Sequence, residues 1–227
     1  MTFTRYAIYF APDPQADWVG FSTRWLGWDM ETGDQVPHPI IDGVDVATVS
    51  ETPRKYGLHA TMKPPFRLRE GQSVEALQRA CEALAAKQAP VQLDGLQVAR
   101  LGRFLALCPV GGTDDLNTLA AACVQELDDF RAPAGEAELA RRRASGLTPQ
   151  QERHLDEWGY PYVLDAFRFH ITLTGRLDRS TLSLVETALG VHLVPLLPSP
   201  FQISDLALVG EREDGRFQLI HRYTLSG

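Results

Sequence analysis

The first regular pattern in the chain is Arg5-Tyr6-Ala7-Ile8-Tyr9-Phe10, a run dense in aromatic and β-branched residues that predicts a strand. Asp13-Pro14 offers an N-cap followed by proline at the first helical position, so a helix is expected from there to about Trp28. Residues 30–55 contain Gly33, Pro37, Pro39, Gly43 and Pro53 and read as loop. A strand over 57–62 is stopped by Pro64-Pro65. Ser73 caps a helix to about Lys87, and 91–101 and 104–109 read as two strands. Leu116, Leu119, Ala120, Cys123 and Leu127 recur at three- and four-residue steps, which predicts a helix over 113–130. A charged helical stretch over 136–144 follows. Thr148-Pro149-Gln150-Gln151 then forms a capping box, opening a helix that Gly159 ends. The chain closes with a strand over 166–174, a helix over 178–190 stopped by Gly190, and a hairpin of 201–209 with 216–225 across Asp214-Gly215.

Two halves of this pattern share one order: a strand, a helix, then two more strands. They occupy 57–109 and 166–225, with negligible sequence identity between them, and the order suggests a duplicated α+β unit. Nothing between them reads as a disordered linker. The expectation is one domain, 1–227, with two pseudo-symmetric lobes of antiparallel sheet plus helices. A first half at about 1–110 and a second at about 161–227 are joined by a helical connection at about 111–160.

Hydrophobic residues make up 44% of the 227 positions, enough for a continuous core. No run approaches the ~20 apolar residues of a membrane helix. Met1-Thr2-Phe3-Thr4-Arg5 lacks the apolar core of a signal peptide, so the expected address is the cytoplasm. Cys81, Cys108 and Cys123 are odd in number, scattered in apolar runs and free of CxxC spacing, as buried reduced thiols would be. The net charge of −7 repels long nucleic acid unless a local basic patch dominates. Arg141-Arg142-Arg143 is the evident patch; it reads either as a solvated helix face or as a segment closing over an anion.

The chemistry lies in two matched segments, Tyr56-Gly57-Leu58-His59-Ala60-Thr61-Met62-Lys63 and Phe167-Arg168-Phe169-His170-Ile171-Thr172-Leu173. In each, His and Thr stand two apart in a strand-like run, so both point to one face while apolar neighbours take the other. Two such strands would offer two imidazoles and two hydroxyls to a single point. That set suits in-line opening of a cyclic phosphodiester. One imidazole takes a proton from the attacking water, the other protonates the leaving oxygen, and the hydroxyls donate to the non-bridging oxygens. No carboxylate or thiolate accompanies either motif with zinc-ligand spacing, so neither metal nor cofactor is expected. The remaining histidines, His38, His154, His192 and His221, lie outside any paired motif and are assigned structural roles.

At these residues the chain resembles the two-histidine phosphoesterase superfamily, whose hallmark is two His-x-Thr/Ser motifs in a bilobal fold around a central cleft. It is similar in particular to a branch found beside carbon–phosphorus lyase genes. Similar segments are RYAIYFAP, PRKYGLHATMKPPF, LGRFLAL, WGYPYV and FRFHITLTG. The resemblance covers nearly the whole chain. It implies the bilobal fold, a catalytic role for His59, Thr61, His170 and Thr172, and a link to phosphonate breakdown.

Several further residues are candidates for substrate contact. Lys63 shares a face with Thr61 if the strand continues. Tyr6, Tyr56, Trp158, Tyr160 and Tyr162 could form a stacking wall, and Arg143 belongs to the basic cluster. The expected partner is a small phosphorylated molecule. Three readings stand: hydrolysis of a cyclic phosphate on a small sugar or nucleotide, action on 2′,3′-cyclic RNA ends, and binding of phosphorylated ligands without turnover. The sequence assigns no oligomeric state.

Overall fold

The computed structural model describes residues 3–227; Met1 and Thr2, on which part of the signal-peptide reading falls, lie outside the described residues. β1 (Arg5–Phe10) alternates as its sequence requires: Tyr6, Ile8 and Phe10 enter the main core, while Ala7 and Tyr9 enter a smaller cluster on the other face. α1 (Asp17–Leu26) begins later than Asp13-Pro14 suggested. Asp13 instead closes a turn, its carboxylate accepting from Gln15 N–H at 2.9 Å and its carbonyl from Ala16 N–H at 3.1 Å. Gly27 ends the helix at φ 79°, and an added Cβ would lie 2.4 Å from the His38 ring.

The stretch read as loop holds short elements: β2 (Trp28–Asp29), β3 (Asp34–Gln35), α2 (Val46–Val49) and α3 (Glu51–Arg54). Asp45 caps α2 through Thr48. β4 (Ala60–Phe66) runs through Pro64-Pro65 rather than stopping there. Its pairing with β1 shifts register on both sides of Ile8, and the irregularity spares the prolines the ladder hydrogen bonds they cannot donate. α4 (Val74–Ala85) follows, capped by Ser73 as expected. The strand expected over 91–101 breaks at Asp94 into β5 (Val91–Leu93) and β6 (Gly95–Leu101), and β7 (Phe104–Val110) pairs with β6.

α5 (Asp114–Glu126), α6 (Glu136–Arg143) and α7 (Pro149–Trp158) form the connection, with the Thr148 capping box present on α7. Only Ile171–Thr172 of the strand expected over 166–174 is ladder-paired, as β8. α8 (Arg179–His192) runs past Gly190, which stands within the helix at a cost of about 1 kcal/mol relative to alanine. The expected hairpin divides into β9 (Phe201–Ile203), β10 (Asp205–Glu211) and β11 (Phe217–Thr224).

Every strand pairing is antiparallel, and the fold is α+β. Seven strands form one sheet in the order β11-β10-β1-β4-β8-β7-β6. The two halves therefore interleave. β4, from the first half, sits on the side of the second half's β10–β11 hairpin, with β1 between them; β8, from the second half, is bonded to the first half's β7. α4, α5 and α8 pack on one face. Beneath them lies the continuous core that includes Leu77, Cys81, Leu119, Cys123, Val185 and Leu189. The opposite face carries a small cluster around Tyr9, Trp28 and Phe217 and, beside it, the candidate site. Among the described residues no helix is long and apolar enough to cross a membrane.

Candidate active site

The two motif strands are direct neighbours in the middle of the sheet. Ala60 pairs with Ile171, and both are fully buried under the helices. Alternation then turns the flanking residues to the opposite face, and antiparallel register sets Thr61 beside His170 and His59 beside Thr172. Each histidine immediately precedes its strand and each threonine lies within it. Thr172 also pairs with Ala106 of β7.

Both imidazoles are held by the same local device. His59 Nδ1 lies 3.0 Å from the Gly57 carbonyl, and His170 Nδ1 lies 2.8 Å from the Arg168 carbonyl. A carbonyl only accepts, so each Nδ1 carries a proton and Nε2 is left as the nitrogen that can take up or give a second one. Thr61 Oγ1 sits 3.2 Å from His59 Nε2 and donates to it. Tyr9 stacks on His59 with ring centroids 3.9 Å apart, and Tyr56 lies tilted at 5.8 Å. These rings strip water from His59. Burial, and secondarily the neighbouring His170, push its pKa from the ordinary 6.5 down to about 4, against the raising effect of the Gly57 carbonyl. His170 is half-buried and packs against Phe104, 6.0 Å between centroids.

A cavity of about 620 Å³ opens over this face. His59, Thr61 and Thr172 line its floor; Tyr9, Tyr56 and Tyr160 form an aromatic wall; Arg5, Lys55, Arg141 and Arg142 supply positive charge. Among the described residues no carboxylate or thiol lines it, so its donor set suits an anion and not a metal ion.

Several sequence candidates stand elsewhere. The register shift between β1 and β4 pairs Tyr9 with Thr61 but Ile8 with Lys63. The bulge at Met62 thus turns Lys63 to the core face. There its ammonium bonds the Val124 carbonyl at 2.8 Å and Asp128 at 3.1 Å, with 2% of the side chain exposed. Tyr6 alternates into the same core, edge-on to Phe3. Arg143 pairs with Glu152 and with Asp156 outside the cavity, while its neighbours Arg141 and Arg142 line it. Trp158 and Tyr162 do not line the cavity either; Tyr162 is 45% exposed and meets Tyr160 edge-on. Tyr56 and Tyr160 are the two proposed aromatics that do.

Tyr9, Arg5 and Lys55 carried no sequence signal of their own. Strand alternation grouped Arg5, Ala7 and Tyr9 on one face, but which face met the histidines depended on pairing with β4. The four remaining histidines are held locally. His38 contacts the Trp25 carbonyl, His154 contacts Asp165, His192 stacks on Phe21 and His221 packs against Tyr223.

Comparison with known proteins yields three findings. Residues 61–218 match the family described as "Protein of unknown function (DUF1045)". Two proteins named "Ribose 1,5-bisphosphate phosphokinase PhnN" are similar. The one from Janthinobacterium sp. (strain Marseille) is 37% identical over 93% of this chain and 48% of its own length; the one from Laribacter hongkongensis (strain HLHK9) is 34% identical over 93% and 49%. The chain thus spans about half the length of the curated relatives it matches. Among solved structures, E. coli LigT in apo form aligns over 100% of both chains at 15% identity and a TM-score of 0.49. TT0787 of Thermus thermophilus aligns over 98% of both at 17% and 0.44.

Proposed function

The chain belongs to the DUF1045 family, and we propose that it is a phosphoesterase that opens a cyclic phosphodiester on a small phosphorylated sugar by two-histidine acid–base catalysis. The observation that carries this reading is two Nδ1-anchored imidazoles on adjacent strands, each with a threonine hydroxyl beside it. His59, Thr61 and Thr172 line a cavity with cations and aromatic rings, and His170 stands next to Thr61 just outside that lining.

His59, held neutral by burial, is the base that takes a proton from water through Nε2. The water oxygen bonds to phosphorus, the opposite P–O ester bond breaks in line, and His170 protonates the departing oxygen. Thr172, and Thr61 once the attacking water has displaced its hydroxyl from His59 Nε2, donate to the non-bridging oxygens, where charge concentrates. Each turn returns the two histidines to their starting states by proton exchange with solvent. Neither a metal nor a cofactor enters any of these steps.

The relatives' name narrows the substrate. The 227 residues contain no G-x-x-x-x-G-K-[ST] phosphate loop, and we assign the relatives' kinase activity to the half of them that this chain does not match. Water opening a ribose 1,2-cyclic phosphate that also bears a 5-phosphate, with cleavage of the P–O2 bond, yields ribose 1,5-bisphosphate. A fused hydrolase of that kind would feed the kinase. Phosphonate catabolism, implied by the sequence resemblance, is a setting in which we expect such an intermediate.

The test is turnover by purified, EDTA-treated protein of three compounds: a ribosyl 1,2-cyclic phosphate, a 2′,3′-cyclic mononucleotide and a short RNA with a 2′,3′-cyclic end. We expect the ribosyl compound to give the highest kcat/KM. A strong, salt-sensitive preference for RNA would transfer the activity to nucleic-acid ends, and tight binding of all three without turnover would make the chain a phosphate-ligand binder.

A further inference from the structure

The cations of the cleft are not used by the two-histidine chemistry. Arg5 is pinned by both oxygens of Glu211, each at 2.6 Å. Lys55 is exposed, its ammonium 4.8 Å from the centroid of the Tyr56 ring, with no carboxylate partner among the described residues. Arg141 makes no hydrogen bond or ion pair with another side chain among the described residues, although it lines the cavity. Arg142 reaches Glu138 at 2.6 Å with one nitrogen and lies 4.6 Å over the Tyr160 ring, yet its Nε–H is buried without an acceptor. A buried donor left unpaired is costly, so a ligand that drew this guanidinium toward the cavity would gain by satisfying it.

These groups occupy a common wall. Arg5 lies four residues from Tyr9 on one face of β1, about 13 Å along the strand from the residue that stacks on His59. Lys55 and Tyr56 lead into the His59 motif, and Arg141 and Arg142 reach the cavity from the last turn of α6. Arg5 and Arg141 also line a second cavity, of about 530 Å³, together with Arg67, Arg131 and the carboxylates Glu138 and Glu211. The catalytic cavity thus has His59 in its lining together with Lys55, Arg141 and Arg142.

We propose that Lys55, Arg141 and Arg142 form a second anion subsite that binds a non-reacting phosphate of the substrate, so that the protein selects sugar phosphates carrying two phosphate groups. This rests on the hydrolase reading for its kinetic form but not for its binding form. Arg142, bonded to Glu138 through one nitrogen only, presents the rest of a planar guanidinium stacked on Tyr160, while Lys55 and Arg141 contribute charge not paired with a carboxylate among the described residues. Arg5, already neutralised by Glu211, shapes the wall.

The experiment compares kcat/KM for ribose 1,2-cyclic phosphate with and without a 5-phosphate. Wild type should favour the 5-phosphorylated compound by roughly 10²-fold, the worth of one or two charge-assisted contacts. In Arg141→Met/Arg142→Met this ratio should fall at least tenfold, and in Lys55→Met it should fall by less. Arg143→Met, whose side chain is engaged with Glu152 and Asp156, should keep the wild-type ratio. Equal rates for the two substrates in wild type, or an unchanged ratio in the double variant, would overturn the subsite.

If neither compound is turned over, the hydrolase reading fails and calorimetry with ribose 5-phosphate decides the subsite alone. The subsite stands if affinity drops about tenfold in the double arginine variant and less in His59→Gln. It falls if ribose 5-phosphate does not bind, or if the arginine variant binds it as wild type does.

Discussion

Replacing His59 with glutamine should flatten the acid side of the protein's stability curve. His59 titrates at about 4 in the folded chain against an ordinary 6.5. Between those values the unfolded chain binds a proton that the folded chain refuses, so acidification favours unfolding. The contribution of the neutral ring is fully present above pH 6.5, erodes as pH falls through the unfolded value, and is gone near pH 4. A gap of about 2.5 units at ~1.36 kcal/mol each gives about 3 kcal/mol. Part of the ring reaches the open cleft, which trims this toward about 2 kcal/mol. The assay is urea denaturation of wild type and His59→Gln at several pH values from 4 to 8. The difference between their unfolding free energies should shrink by roughly 2–3 kcal/mol on going from pH 7 to pH 4. A parallel pair of curves would show that Tyr9 and Tyr56 do not exclude water from this imidazole, and the assignment of His59 as the base would lose its support.

Other expectations follow from the same geometry. The acid limb of kcat/KM should lie near pH 4, well below the ordinary histidine value, and a limb near 6.5 would contradict the burial argument. His170→Ala should lower kcat by roughly 10²–10⁴ with the fold intact by circular dichroism. Thr61→Val and Thr172→Val should cost less, about 10–10³-fold in kcat, as lost donors to the developing charge. Lys63→Met should leave turnover within a few-fold of wild type but lower stability by about 1–3 kcal/mol, because Asp128 loses a cationic partner and keeps Arg131. Turnover should survive exhaustive treatment with chelator; loss of activity restored by zinc or manganese would mean a different mechanism.

The histidine and threonine pairs could be read from sequence because their geometry is local: a two-residue step in a strand fixes a shared face before any partner is known. Lys63 obeyed the same rule on paper and escaped it through a bulge that exists only when β4 meets β1. Tyr6 was expected in the stacking wall and Tyr9 was not singled out; strand order decided that the Tyr9 face of β1 adjoins His59. Three consecutive arginines on α6 point about 100° apart, so the cluster was visible but the members facing the cleft were not. The element order of the two halves was legible from punctuation and periodicity. Their interleaving was not, since antiparallel neighbours in one sheet leave no mark on either segment alone.

That interleaving has a consequence for how the protein acquires its site. The Ala60–Ile171 contact joins segments more than a hundred residues apart, and β8 is anchored on its other side by β7, itself from the opposite half. Local hairpins such as β6–β7 and β10–β11 close cheaply, whereas the β4–β8 seam waits until a long loop has been drawn shut. During synthesis the first histidine therefore emerges with its threonine but without its counterpart, and neither half released by proteolysis would hold the assembled pair.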